Sequence, residues 1–267
     1  MRVNVDDVAL SSSLRLSSTH FKYANSILIM SEPKNESDLS IRRAAIASLL
    51  HATLLAATGG YLDAFTFVGK GRVFANSMTG NVVIMGTLLA IGQWRRASAR
   101  IPLILAFVVG TCCAKGMDAP PLRRIFRWPL MTSLTIEIVF LLVAGALPMS
   151  FPDSWLLMSI SFAAALQNST FARIEGQNLS TIMTTGNLKT LSESLVTLVF
   201  GPSDLDAGRR VRFFTAVCFC FLAGAVLGAR LTPGIGNLAL WPAALILLIV
   251  WLHLGWALWS IVKRERR

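Results

Sequence analysis

Of the chain's 267 residues, 54% are hydrophobic and only 15% are charged, against roughly 25% charged in soluble domains. With a mean hydropathy of +0.60, this excludes an ordinary water-soluble globule and predicts an integral membrane protein. The net charge of +11 sits in short connectors and tails between apolar runs, where basic residues orient a chain in a bilayer, so membrane lipid and no nucleic acid is the expected partner.

Residues 1–43 are Ser-rich and mixed in charge. Their most apolar stretch, Ile27 to Met30, is too short for a signal-peptide core of roughly 7 to 15 residues. A polar, disordered tail is expected, with Met30 ahead of the polar leader Ser31 to Ser40 as the start of the native product. Intact mass checks that start. Eight apolar segments follow, near Ala44 to Val68, Thr79 to Gln93, Ile101 to Met117, Pro129 to Leu147, Trp155 to Ala172, Thr185 to Phe200, Phe213 to Leu231 and Leu238 to Val262. A helix needs about 20 residues to cross the hydrocarbon. The second and sixth segments fall short, and both begin at the same tripeptide, Thr79-Gly80-Asn81 and Thr185-Gly186-Asn187.

The recurrence predicts an internal repeat. Asp63-Ala64-Phe65 precedes the first tripeptide much as Asn168-Ser169-Thr170 precedes the second, and basic connectors follow each, Arg95 to Arg100 and Arg209 to Arg212. Next comes a glycine-bearing helix, with Gly110 and Gly116 in one half and Gly224 and Gly228 in the other, the latter pair in a spacing that lets helix backbones approach closely. A homodimer through that pair is left open. Each half closes on a Pro-started apolar helix, at Pro129 and Pro242. The expected fold is therefore an all-α polytopic membrane protein of six to eight segments in two repeats of about four. The repeats span 44–148 and 149–262, with a basic tail at 263–267. If all eight segments cross, the repeats are parallel and both termini share a cytoplasmic side with the basic connectors. If the short segments are re-entrant, six cross and the halves are inverted. Charge alone does not choose.

The run Gly59-Gly60-Tyr61-Leu62-Asp63-Ala64-Phe65, then Gly71 to Asn81, resembles the first signature of the YoaK-like family of bacterial multi-spanning membrane proteins. Leu166-Gln167-Asn168 with Thr185-Gly186-Asn187 resembles its second. The resemblance covers Ala44 to the C-terminal tail. It implies a helical inner-membrane protein with six or more spans, and it implies no reaction or substrate.

Ionisable groups inside spans are costly, so they are partnered or functional. Asp63, beside Gly59-Gly60, is read as a proton or cation carrier, or as an interfacial Asp paired with Lys70 or Arg72. Glu137 is read as a proton relay or a buried, hydrogen-bonded acid. Lys189 and Glu193, four apart on one face, are expected to line a polar pathway or to pair with each other. The tripeptides are expected to start helices inside the membrane, with the Thr hydroxyls as caps. Short, interrupted segments at matching positions point to a midplane site, expected among Asp63, Asn76, Thr79, Gly80, Asn81, Gln167, Asn168, Thr185, Gly186 and Asn187. No cofactor, metal site or catalytic set is expected: His51 and His253 stand isolated, and Cys112, Cys113, Cys218 and Cys220 read as small buried hydrophobes. A secondary transporter or permease for a small polar or ionic solute fits best. A membrane enzyme on lipid-linked substrates and a non-transporting assembly protein are the alternatives.

Overall fold

The computed structural model describes residues 48–122, 124–201 and 206–265. The expected polar tail, the Met30 start and the end of the basic tail lie outside them. The helices are α1 (Leu49–Gly69), α2 (Met78–Ala90), the short α3 (Trp94–Ser98), α4 (Ile101–Met117), α5 (Pro129–Ala146), α6 (Asp153–Thr170), α7 (Thr184–Phe200), α8 (Ala207–Ile235) and α9 (Leu240–Glu265). Each of the eight predicted segments is mainly helical over its described residues. A hairpin of β1 (Arg173–Ile174) and β2 (Gln177–Asn178) follows α6, and a single 3-10 turn, Gly236–Ala239, separates α8 from α9. Among the described residues, three stretches are long and apolar enough to cross a membrane: Trp94–Met117, Pro129–Ala146 and Ala207–Ser260, the last holding both α8 and α9.

α1 and α6 carry more polar side chains because they lie inside the bundle, where lipid does not test each side chain. Thr58, Asp63 and Thr66 on α1 are buried, as are Ser161 and Gln167 on α6. α1 packs most extensively against α8, α6 against α4, and α5 against α9. At the α1–α8 seam a Cβ on Gly224 would strike the Ala57 carbonyl, and one on Gly228 the Tyr61 carbonyl. The close-approach pair predicted from spacing is thus taken up within the chain by α1, which removes its use as a dimer contact. α4 approaches α6 the same way, Gly110 lying against the Phe162 carbonyl.

Helix directions follow from named contacts. The Leu49 amide donates to Glu175 Oε1 at 2.8 Å, in the hairpin beyond the end of α6, and Lys70 Nζ meets Asp153 Oδ1 at 2.7 Å, where α6 begins. α1 and α6 are therefore antiparallel. α8 runs parallel to α1 through the glycine contacts. α4 runs parallel to α6, because Ser161 donates to the Leu103 carbonyl while Ala114 and Met117 cluster with Leu166. α5 and α9 are antiparallel, with Trp251 Nε1 donating to Thr135 Oγ1 and Trp241 Nε1 to the Leu142 carbonyl. The start of α1 meets the middle of α9, where His51 Nε2 lies 3.1 Å from His253 Nδ1. The Ser48 amide already donates to His51 Nδ1, so Nε2 carries the His51 proton. The two histidines are not isolated as expected; they join the first helix to the last.

One other expectation is corrected and two open alternatives are narrowed. Cys112 and Cys113 are exposed and Cys218 and Cys220 half-exposed, because they sit on outer helix faces. The Arg95 to Arg100 connector lies at the opposite end of the bundle from Arg209 to Arg212, a consequence of the antiparallel α1–α6 pair. Lys70, not Asp63, makes the buried ion pair near the end of α1. Its ammonium is 3% exposed while Asp153 is 50% exposed. Asp153→Ala strands that ammonium and is expected to cost about 2 kcal/mol, between the values for surface and fully buried pairs. The exchange Lys70→Asp with Asp153→Lys should recover most of it, read by thermal unfolding in detergent.

Candidate functional site

After α1 the chain turns sharply, Gly71 and Arg72 both adopting left-handed φ of 72° and 57°. It then climbs back along α1. The Ala75 amide donates to Thr66 Oγ1 at 3.2 Å, the Asn76 amide to Asp63 Oδ1 at 2.9 Å and Asn76 Nδ2 to the Gly59 carbonyl at 3.1 Å. Successive bonds land about one turn earlier on the helix. Gly59 is the middle residue of the 21-residue α1, a helix of roughly 31 Å, so α2 begins halfway through the bundle. Asn81 then anchors the helix start, Nδ2 donating to the Phe74 carbonyl seven residues back at 2.5 Å.

A similar pattern of bonds follows α6. Glu175 and Gly176 are left-handed, with φ of 51° and 75°. Asn168 Oδ1 accepts from the Thr181 amide at 2.9 Å across the same 13-residue separation as Asp63 and Asn76. Asn187 Nδ2 donates to the Ser180 carbonyl, again seven residues back, at 2.7 Å. Thr181 Oγ1 reaches Gln167 Oε1 at 3.0 Å. A Cβ on Gly59 would strike the Thr181 carbonyl, so the two junctions touch at the middle of α1. Since α4 starts at the end where α1 finishes, and α8 at the end where α6 finishes, α2 and α7 each leave by the end at which their segment entered. Both are re-entrant in form.

The structure brings together Asp63, Asn76, Gln167 and Asn168, all expected, with Gly59, Ser180 and Thr181, which sequence reasoning missed. The 13-residue offset from Asn168 was the signal for Thr181. Asn81 and Asn187 are buried and hold the junctions shut. The rest of each tripeptide lies elsewhere. Thr79, Thr185 and Gly186 are exposed and Gly80 stacks under the Phe74 ring, because two residues along a helix turn a side chain about 200° away. Neither helix start has a side-chain cap bond; the caps are Ser77 and Met183, so the expected Thr capping is overturned. Lys189 and Glu193 pair at 3.8 Å but are 76% and 65% exposed, on the face of α7 away from buried Asn187 and Ser194. They line no interior pathway. Glu137 is buried on α5, its Oε2 without a hydrogen-bond partner. Ser133 faces Thr170 and Phe140 faces Phe162, which puts Glu137 level with residues 165 and 166, just beside Gln167 in sequence. No group of three or more metal-binding side chains occurs among the described residues.

The model of a family described as "Protein of unknown function (DUF1275)" matches residues 51–253. The chain is similar to the UPF0700 transmembrane protein YoaK of Bacillus subtilis (strain 168), 25% identical over 205 residues that cover 73% of this chain and 88% of that protein. No solved structure matches. The matched region contains both junctions and every residue bonded within them.

Proposed function

The chain belongs to the DUF1275 family, and on that premise we propose that this membrane protein is an inner-membrane secondary transporter or permease. Its solute is small and polar or ionic, bound between the two re-entrant helix starts. The observation that carries the reading is the contact of Gly59 with Thr181, where α2 and α7 begin side by side at mid-depth among buried polar groups. Broken helices at matching positions of two halves are how secondary transporters place a midplane site. Non-helical backbone at that depth is tolerated only where protein buries it or it lines a cavity.

The reading includes two inverted repeats, 44–148 and 149–262, with α1, α4, α5, α6, α8 and α9 crossing and α2 and α7 re-entrant. What supports it is the antiparallel α1–α6 pair, the exchanged packing of α1 on α8 and α6 on α4, and the matching bond patterns at the junctions. Basic residues lean the same way: Lys115, Arg124, Arg127, Arg173, Arg209, Arg210, Arg212 and Lys263 fall at one end, with the start of α1 and the end of α9, against Lys70, Arg72, Arg95, Arg96, Arg100 and Arg230 at the other. By the positive-inside rule that end is cytoplasmic.

Purified protein in sealed liposomes, challenged with a panel of alkali cations, amino acids and small carboxylates, is expected to give a saturable flux or current. Asp63→Asn and Gln167→Ala should each reduce it at least about tenfold, a loss of about 1.4 kcal/mol or more of transition-state stabilisation, while both variants stay folded. Unchanged flux with lowered melting temperatures would leave the junctions a purely structural role. Turnover in detergent without a compartment would favour the enzyme reading.

A further inference from the structure

The two junctions are built alike but are not filled alike, and the difference points to a ligand. In the second half every acceptor oxygen at the junction is occupied. Asn168 Oδ1 accepts from the Thr181 amide and Ser180 Oγ, which leaves the single hydroxyl proton of Thr181 for Gln167 Oε1, and Asn187 Oδ1 accepts from the Ser180 amide. In the first half, Asp63 stands where Asn168 stands and adds a carboxylate. Asn76 stands where Thr181 stands, and its Oδ1 is fully buried with no partner. Asn81, the counterpart of Asn187, likewise leaves a buried Oδ1 without a donor.

These oxygens are not products of a misplaced amide. Asn76 Nδ2 faces the Gly59 carbonyl and Asn81 Nδ2 faces the Phe74 carbonyl. Of the two amide atoms only the nitrogen can donate to a carbonyl, so the bond the nitrogen makes decides the amide orientation. The bonds also place Asn76. Its amide is tied to Asp63 and its side chain to Gly59, four residues earlier on the same face of α1, so its free oxygen lies along the face that carries the carboxylate. No Lys or Arg among the described residues pairs with Asp63; the nearby Lys70 is engaged by Asp153. The Asp63 carboxylate accepts from the Asn76 amide, yet among the described residues no cationic side chain balances it, and the two amide oxygens have no donor of their own.

We infer that the first junction is a binding site for a dehydrated alkali cation, with Asp63, Asn76 and Asn81 supplying oxygen ligands, and that the second junction is its self-satisfied structural counterpart. The inference rests on the transporter reading in taking this cation as the ion that drives or accompanies the solute. The ligand chemistry selects the class. All donors are hard oxygens, and a single carboxylate balances one positive charge. Ca²⁺ sites draw on six to eight oxygens, and Mg²⁺ keeps an octahedral shell with several waters.

Cation binding is tested without transport, on purified full-length protein in detergent. Thermal unfolding is followed in NaCl, KCl and choline chloride at equal ionic strength and fixed pH. Na⁺ or K⁺ far above its Kd is expected to raise the melting temperature by roughly 5 °C relative to choline. Asp63→Asn, which keeps an acceptor for the Asn76 amide, should abolish that difference, while Glu137→Gln retains it. Should Asp63→Asn fail to fold, ²²Na⁺ binding to the wild-type protein, displaced by unlabelled NaCl or KCl and not by choline chloride, gives the same answer. Equal melting in all three salts, a response preserved in Asp63→Asn, or a response to pH alone would overturn the inference. Cation binding without solute flux would instead sink only the transporter reading.

Discussion

Gly224→Leu should prevent accumulation of stable, monodisperse protein. Any fraction that is recovered should be destabilised by about 3 kcal/mol or more, the upper range for overpacked interiors. A Cβ at this position meets the carbonyl, carbon and Cα of Ala57, and backbone has no rotamer with which to give way. Relief requires separating α8 from α1, and those two helices form the most extensive contact in the bundle. The matched control is Gly86→Leu on α2, where nothing lies within 4 Å and leucine's better helix propensity should leave stability unchanged or raise it by up to about 1 kcal/mol. Size-exclusion profiles and thermal unfolding of both variants decide it. Equal behaviour would mean that α1 and α8 do not share this seam.

Asn168→Leu is expected to lower stability by about 2–4 kcal/mol, because a single side-chain oxygen there satisfies the Thr181 amide and the Ser180 hydroxyl. Each buried donor left without a partner costs about 1–3 kcal/mol. Leucine fills a similar volume, so the loss reports hydrogen bonding and not a cavity. Asn168→Asp copies the group used at position 63 and keeps the acceptor. The positive end of α7 favours the added charge, so most of the loss should be recovered. If the leucine and aspartate variants unfold together, the junction is held by packing alone and the likeness of the two halves is only geometric.

Much of the fold was legible in the chain itself. Long apolar runs marked every major helix, since hydrocarbon accepts a helix only when its side chains are apolar and its backbone is internally bonded. The repeated tripeptide marked the short helices, and the offset of Asp63 and Asn168 from it marked the junctions. Lys189 and Glu193 were misjudged for a definite reason: spacing shows that two residues share a face but not which way that face points. His51 and His253 were read as isolated because 202 residues separate them, a distance that only helix packing closes. Thr79 and Thr185 were given a capping role because the helix starts fall one or two residues earlier than the tripeptide suggested.

The amino-acid sequence by itself determined that this is a helical membrane protein with two matched, interrupted segments, because composition and periodicity are local properties set by the solvent each residue must meet. Only the tertiary structure decided that α1 and α6 run antiparallel, that each packs on a helix of the other half, and that the two tripeptides hold their junctions through Asn alone. Those facts depend on which faces meet. A charge census cannot separate a six-crossing from an eight-crossing chain, whereas one ion pair between Lys70 and Asp153 and one hydrogen bond from Leu49 to Glu175 set the direction of the central helices and, with it, everything packed around them.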